Sequence, residues 1–186
     1  MYQLCPESIN AAHRFGCSIH YAIEGIRHRK ANPAAAIETV QFLLDCDPNV
    51  VSQKLRDKPP LHWVCNEATN EDTPRLNVYL KILQILYDAY PEAIEINEIT
   101  SNVDSFCEEV QTFINTQLIY ASQARDLRQM NTPDENGQLP LHEAFHENET
   151  ITLGSIKLLV KGNPSAICNF DNRGMIPLHV ACQHHV

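Results

Sequence analysis

The tripeptide Pro-Leu-His occurs three times in this 186-residue chain, beginning at Pro60, Pro140 and Pro177. A weaker copy, Ser18-Ile19-His20, precedes them. A short motif that recurs at a similar spacing indicates a series of like supersecondary units, each of which buries its apolar face only against its neighbours. We therefore expect a solenoid rather than a globule, and a function that depends on its surface rather than on a catalytic centre.

A second proline pattern runs in phase with the first. Pro48 and Pro164 stand 14 and 15 residues before a motif histidine, and an apolar residue follows each three positions later. Proline cannot continue a helix and often lies just past its C-terminus. We expect a helix to end before each such proline, with the apolar residue packed back onto the core. The prolines of this pattern are Pro6, Pro48, Pro91 and Pro164.

Capping and apolar residues predict the helices between these markers. A first helix should run from Ser18 towards Arg29, and Pro33 should open its partner, which ends before the next proline marker. The pair Thr73-Pro74 indicates the start of another helix, which is apolar on most sides. The fold class predicted from these elements is all-α.

The motif is missing from the middle of the chain, although the spacing leaves room for one more unit. Apolar residues at three- and four-residue steps predict one long amphipathic helix near 104–130, or two helices broken near Asn115-Thr116. Towards the C-terminus, Thr152 should cap a helix that Gly162 ends.

The segments before the motif have the composition of tight turns. Asp134-Glu135-Asn136-Gly137 and Asp171-Asn172-Arg173-Gly174 each end in glycine, which supplies a positive φ that other residues resist. In the earlier copy Asp57 replaces that glycine, and aspartate tolerates the left-handed region better than most residues.

These features resemble the ankyrin-repeat family. The pattern Asp-X-X-Gly-X-X-Pro-Leu-His-X-Ala is complete from Asp134 to Ala144 and again from Asp171 to Ala181. The chain departs from the family in lacking the threonine before Pro-Leu-His, and its repeats of 37 to 42 residues exceed the usual length of about 33. The resemblance implies one domain over 1–186, divided into partial repeat 1–12, repeats of about 13–53, 54–96, 97–133 (degenerate) and 134–170, and partial repeat 171–186.

The resemblance also implies a scaffold that binds other proteins through its hairpin tips and first helices. Carried over position by position, the hairpin contacts fall on Arg56, Lys58, Asp134, Glu135, Asn136, Gln138, Asn172, Arg173 and Met175. The helix contacts fall on Asn66, Glu67, His146, Glu147, Gln183 and His184. For any one of these residues, a merely solvated turn is the alternative.

Trp63, the single tryptophan, directly follows a motif histidine. It could anchor an interface, since tryptophan is enriched in binding hot spots, or pack between repeats. The motif histidines recur at one position, which favours hydrogen bonding between repeats over catalysis or metal binding. Two clusters of cysteine and histidine lack the spacing of a zinc site, and no catalytic motif is present, so we expect no metal, no cofactor and no enzyme activity.

Composition fits a folded chain, with 44% apolar and 20% charged residues. The net charge of −9 disfavours nucleic acid and favours a basic protein partner. No apolar run is long enough to span a membrane. The seven cysteines are odd in number and form no Cys-X-X-Cys pair, which predicts reduced thiols in the cytoplasm or nucleus, with Cys65 and Cys182 as equivalent core residues.

We expect a non-enzymatic scaffold for protein–protein interaction, with an accessory segment of a larger enzyme as the alternative. The first and last repeats are incomplete in sequence, and solenoids need polar capping units at their ends. This predicts contact with further repeats of the same longer chain or with another copy of it.

Overall fold

A computed structural model of the protein describes residues 17–28, 32, 34–69, 73–95, 97–146 and 151–184. Within these residues the regular secondary structure is helical, apart from one isolated antiparallel bridge between Leu55 and Lys58. The predicted all-α class is therefore confirmed. No helix in the described ranges has the length and apolarity needed to cross a membrane.

The α-helices are numbered in chain order. They are α1 (Ser18–His28), α2 (Ala35–Cys46), α3 (Pro60–Ala68), α4 (Thr73–Ala89), α5 (Asn97–Thr100), α6 (Glu108–Arg125), α7 (Leu127–Asn131), α8 (Pro140–His146), α9 (Leu153–Gly162) and α10 (Pro177–His184). Short 3₁₀ helices separate some of them: η1 (Pro48–Ser52), η2 (Pro91–Glu95), η3 (Val103–Ser105) and η4 (Pro164–Cys168).

Both proline patterns have a structural counterpart. The motif prolines are the first residues of α3, α8 and α10, where a missing N–H costs nothing. The marker prolines Pro48, Pro91 and Pro164 each begin a 3₁₀ helix directly after an α-helix, as expected of a helix stop, while Pro6 lies outside the described residues. The apolar residue three positions later is buried after the first two, but Ile167 is exposed and Ala166 takes its place in the core.

The described chain falls into two compact units, one up to Ile114 and one from Asn115. In the N-terminal unit α1 packs on α2 and α3, and α4 packs on α2 and α3. The α1 side chains Ile19, Ile23 and Ile26 follow the four- and three-residue steps of one helical face and are fully buried. The predicted start of α1 at Ser18 is confirmed, and Arg29, towards which the helix was predicted to run, lies outside the described residues.

The long helix predicted near 104–130 is shorter than expected. It begins at Glu108 and continues without a break through Asn115 and Thr116 to Arg125. The interruption lies instead at Asp126, whose side chain accepts hydrogen bonds from the N–H groups of Arg128 and Gln129 and so caps α7. An N-cap aspartate satisfies helix donors that would otherwise lack partners, which explains a new helix at this position.

The C-terminal unit packs α8 against α9 and α10, with η4 against α9 and α10. Its core contains Tyr120, Met130, Leu139, Leu141, Ala144, Leu159 and Ala166. Thr152 caps α9 as predicted, because its hydroxyl accepts the Ser155 N–H. Gly162 is the last residue of α9, but its role is close packing, since a Cβ there would lie 2.6 Å from the Ala124 carbonyl oxygen.

One expectation about the core is wrong. Cys65 is buried in α3, where α4 follows and packs against it. Cys182, at the equivalent motif position in α10, is exposed, because no described element after α10 covers it. The six cysteines of the described ranges all have free thiols.

Candidate functional site

Two turns in the C-terminal unit have the same hydrogen-bond pattern. In the first, the Asp134 carboxylate accepts the N–H groups of Asn136 and Gln138, at 2.9 and 2.6 Å, and the Gly137 N–H donates to the Asp134 carbonyl. In the second, the Asp171 carboxylate accepts the N–H groups of Arg173 and Met175, at 2.9 and 2.8 Å. Gly137 and Gly174 both have a φ of 75°, so the turn chemistry predicted for the two glycines is confirmed.

The second turn lies directly on the first. The Asn172 N–H donates to the Asn136 carbonyl at 2.9 Å, and the Asn172 side-chain amide donates to the Glu135 carbonyl at 3.1 Å. A Cβ on Gly137 would come within 2.5 Å of the Asn172 Oδ1, so only glycine allows this approach. The main chain of one turn therefore fixes the position of the next.

The histidine of the Pro-Leu-His motif explains why the motif opens a helix. His142 is the third residue of α8, and its Nδ1 accepts the Leu139 N–H at 3.1 Å, which is the reach-back bond of a capping box. The proton is therefore on Nε2, which donates towards the carbonyls of Asn169 and Met175, both at 3.1 Å. His142 thus caps its own helix and bonds the segment that leads into α10.

The other motif histidines have different surroundings. His179 makes the same capping bond, from the Ile176 N–H, but is exposed. Nδ1 of His62 lies 3.3 Å from the Asn66 amide within α3. His20 packs edge-on against Trp63 at 5.7 Å; burial lowers the pKa of its imidazole, and the Lys58 main chain partly offsets this. His142 makes the predicted hydrogen bonds to a later segment of the chain, to residues 27 and 33 positions away.

An open cleft of about 540 Å³ lies in the C-terminal unit, and we call it the turn cleft. It is lined by Asp134, Asn136, Gln138, Glu143, His146, Asn172 and Arg173. Six of these seven residues were predicted from the sequence as partner contacts. The structure therefore brings together side chains from both turns and from α8.

Arg173, in the described lining of the turn cleft, is held in place by its neighbours. The Arg173 guanidinium donates to the Asp171 carboxylate through Nε and Nη2, both at 3.0 Å, and its Nη2 lies 3.2 Å from His146 Nε2. Burial acts to raise the pKa of Asp171. Hydrogen bonds from Met175, from Arg173 and from Gln138 outweigh it and lower that pKa to about 2. The Arg173 charge is compensated in this way, and the cleft lining also contains the carboxyl groups of Asp134 and Glu143.

The remaining predicted contacts towards the C-terminus differ in exposure. Gln138 is buried, because its side-chain amide donates to Asp171 at 3.4 Å and joins the two turns. Met175 is half-buried, and Gln183 is exposed on α10 away from the described cleft lining. Glu147 and the His184 side chain lie outside the described residues.

Glu143 is the cleft residue that the sequence analysis missed. It follows the motif histidine, the position that Trp63 occupies in the earlier copy. Trp63 is a candidate for binding because of its residue type, but the informative signal is its position directly after the motif histidine. The same reasoning applied to each copy would have selected Glu143.

The predicted site residues of the N-terminal unit lie in one turn and in helix α3, which follows it. Leu55 and Lys58 exchange two main-chain hydrogen bonds across Arg56 and Asp57, which both have positive φ, so this turn differs from the two glycine turns. The side chains of Arg56, in this turn, and of Asn66, in α3, are exposed.

Trp63 and Glu67 make contacts with α1. Trp63 is half-buried against His20, which agrees with the packing alternative. Glu67 forms an ion pair with Arg27 at 3.0 Å. Both side chains therefore help to hold α3 against α1.

No protein-family model matches this chain, and no solved structure matches its fold. Within the described residues no group of three histidine, cysteine, aspartate or glutamate side chains is placed to hold a metal ion.

Proposed function

We propose that this chain is an ankyrin-type repeat scaffold that binds a segment of another protein in the turn cleft. The observation that carries the proposal is the cleft itself, which gathers polar side chains from two like turns and from α8. Ankyrin-type assignment is supported by the shared hydrogen-bond pattern of the two turns and by their direct docking.

The partner that suits this cleft is a basic, extended segment. Asp134 and Glu143 present carboxylates, and the positive charge of Arg173 is compensated by Asp171. Complementary charges across an interface favour the correct partner and speed its association. A hairpin surface fixed by main-chain hydrogen bonds also needs little ordering on binding, which favours affinity.

A selection from a library of random peptides tests the proposal without a known partner. We expect the peptides that bind the full chain to be rich in lysine and arginine. Their affinity should fall on Glu143→Lys by about 1 kcal/mol, roughly fivefold in Kd, because one favourable charge contact becomes repulsive. Glu109→Lys is the matched control, since Glu109 is exposed, lies on α6 outside the cleft lining and gives the same change in net charge.

Three outcomes would contradict the proposal. The selection could yield no binding peptide, it could yield peptides without basic residues, or Glu143→Lys and Glu109→Lys could weaken binding equally. Circular dichroism of both variants establishes that each remains folded.

A further inference from the structure

A second, smaller groove of about 310 Å³ lies between α6 and α8 in the C-terminal unit, and we call it the α6–α8 groove. Its lining on α6 follows the three- and four-residue steps of one helical face: Thr116, Ile119, Tyr120 and Gln123. Its lining on α8 has the same steps: Pro140, Glu143 and Ala144. The groove is therefore formed by one face of each helix.

Glu143 belongs to both cavities of the C-terminal unit. It lines the turn cleft and also the α6–α8 groove. It is the middle residue of α8, and its side chain is exposed. Because one side chain lines both cavities, they adjoin at Glu143, and a chain segment that pairs with this carboxylate can reach both of them.

The two cavities differ in chemistry. The described lining of the turn cleft is polar or charged, whereas Ile119, Tyr120, Pro140 and Ala144 give the α6–α8 groove apolar surface. Ile119 is 59% exposed. An isolated exposed isoleucine is ordinary on a protein surface. Ile119 is not isolated, since it stands in the wall of a groove beside the buried side chains of the other three residues.

The walls of the groove are fixed by the core of the unit. The Gln117 side-chain carbonyl is buried in α6 and accepts hydrogen bonds from the hydroxyls of Thr152 and Ser155. Tyr120 belongs to the same core cluster as Ala144 of α8. These contacts set the rotation of α6, so Ile119 is presented to the groove before any partner arrives, and little ordering is needed on binding.

We propose that the α6–α8 groove binds an apolar side chain of the same partner segment whose basic residue pairs with Glu143. This inference rests on the proposed function of the turn cleft, and it narrows the partner class. The segment carries leucine, isoleucine, methionine or phenylalanine at a fixed position close to a lysine or arginine. Its apolar side chain removes surface of Ile119 from water, which favours binding. A purely basic segment is a poorer occupant, because a charged group placed against Ile119 would lose hydration without a partner.

The test uses the full chain and the peptides selected from the random library. We expect the selected peptides to share an apolar residue at a fixed spacing from a lysine or arginine. Alanine at that apolar position should weaken binding by about fivefold in Kd, and Ile119→Gln should weaken binding of the parent peptide by a similar factor. In Ile119→Gln the alanine peptide should then lose less than about twofold, because the two side chains act as one contact.

Leu153→Gln is the matched control. Leu153 is 53% exposed, begins α9 and lies outside the described lining of both cavities. Its replacement should leave the affinity within about twofold of the wild type, since no partner contact is lost. Circular dichroism checks that both variants remain helical, as expected for glutamine at exposed helix positions.

The outcomes separate this inference from the proposed function. Basic peptides without a fixed apolar position would overturn the inference and leave the basic partner of the turn cleft intact. The inference also fails if the alanine peptide loses as much in Ile119→Gln as in the wild type, or if Leu153→Gln weakens binding as much as Ile119→Gln. A selection that yields no basic peptide would contradict the proposed function, and the inference with it.

Discussion

The docking of one turn on the next can be measured with two glycine-to-alanine substitutions. Gly137 and Gly174 have the same φ of 75° in turns of the same hydrogen-bond pattern. Alanine in the left-handed region costs about 1–2 kcal/mol, and this is the whole cost expected of Gly174→Ala. At Gly137 the new Cβ would also lie 2.5 Å from Asn172 Oδ1 and 2.9 Å from Asn172 N.

That collision adds to the cost at Gly137. Forcing an extra carbon into a packed site costs about 1–3 kcal/mol, and displacing Asn172 weakens two hydrogen bonds worth about 0.5–1.5 kcal/mol each. We therefore expect Gly137→Ala to lower the free energy of unfolding by about 3–5 kcal/mol, at least about 2 kcal/mol more than Gly174→Ala.

Urea unfolding followed by circular dichroism measures both variants, with the slope of the transition checked for constancy. Asn172→Ala in the Gly137→Ala background should recover part of the loss, because it removes the nearest atom. Equal losses at the two glycines, or no coupling between Gly137 and Asn172, would refute the reasoning.

Three further variants test other parts of the account. Gly162→Ala should lower the free energy of unfolding in urea by about 1–3 kcal/mol, because the new Cβ would press on the Ala124 main-chain carbonyl, which cannot move aside. A loss below about 0.5 kcal/mol would show that the close packing of Gly162 on Ala124 is not rigid. His142→Ala should lower the free energy of unfolding by about 2–4 kcal/mol. His179→Ala loses only an exposed capping hydrogen bond and should lower it by less than about 1 kcal/mol. Similar losses in the two variants would contradict the assigned hydrogen bonds. The pKa of Asp171 is lowered to about 2, below its value in the unfolded chain, so its stabilisation is present above about pH 4 and is lost as the pH falls towards 2. In Asp171→Asn the free energy of unfolding should therefore fall less between about pH 4 and pH 2 than in the wild type. An unchanged pH dependence would contradict the hydrogen bonds assigned to the Asp171 carboxylate.

Local features of the sequence were sufficient to predict several elements of the fold. The start of α1, the Thr152 cap and the two glycine turns depend on residues within a few positions of one another, so propensity and capping chemistry determine them. The break at Asp126 was missed because the apolar period alone gives no reason to end a helix there. Its signal was a possible N-cap aspartate, which competes with helix continuation.

Burial at equivalent motif positions could not be predicted from the motif. Leu141 and Leu178 have the same local sequence, yet the cover of each depends on a neighbouring unit. Gln138 was expected to contact a partner because the ankyrin resemblance places it at a hairpin contact position, but it is buried and its amide donates a hydrogen bond to Asp171 of the next turn. Six residues of the described cleft lining were predicted because their positions repeat, and Glu143 was missed because Trp63, at the equivalent position, was considered for its residue type alone.

The central claim is that the turn cleft binds a basic segment of another protein. Its most direct test is a titration of the ¹⁵N-labelled full chain with the strongest lysine- and arginine-rich peptide from the library selection, followed through amide chemical shifts. We predict that the largest shifts fall on Asn136, Gly137, Glu143 and Asn172, and that they are clearly smaller in Glu143→Lys at the same peptide concentration, as a roughly fivefold weaker Kd requires. Shifts centred instead on Arg56 to Trp63, or unchanged in Glu143→Lys, would contradict the account.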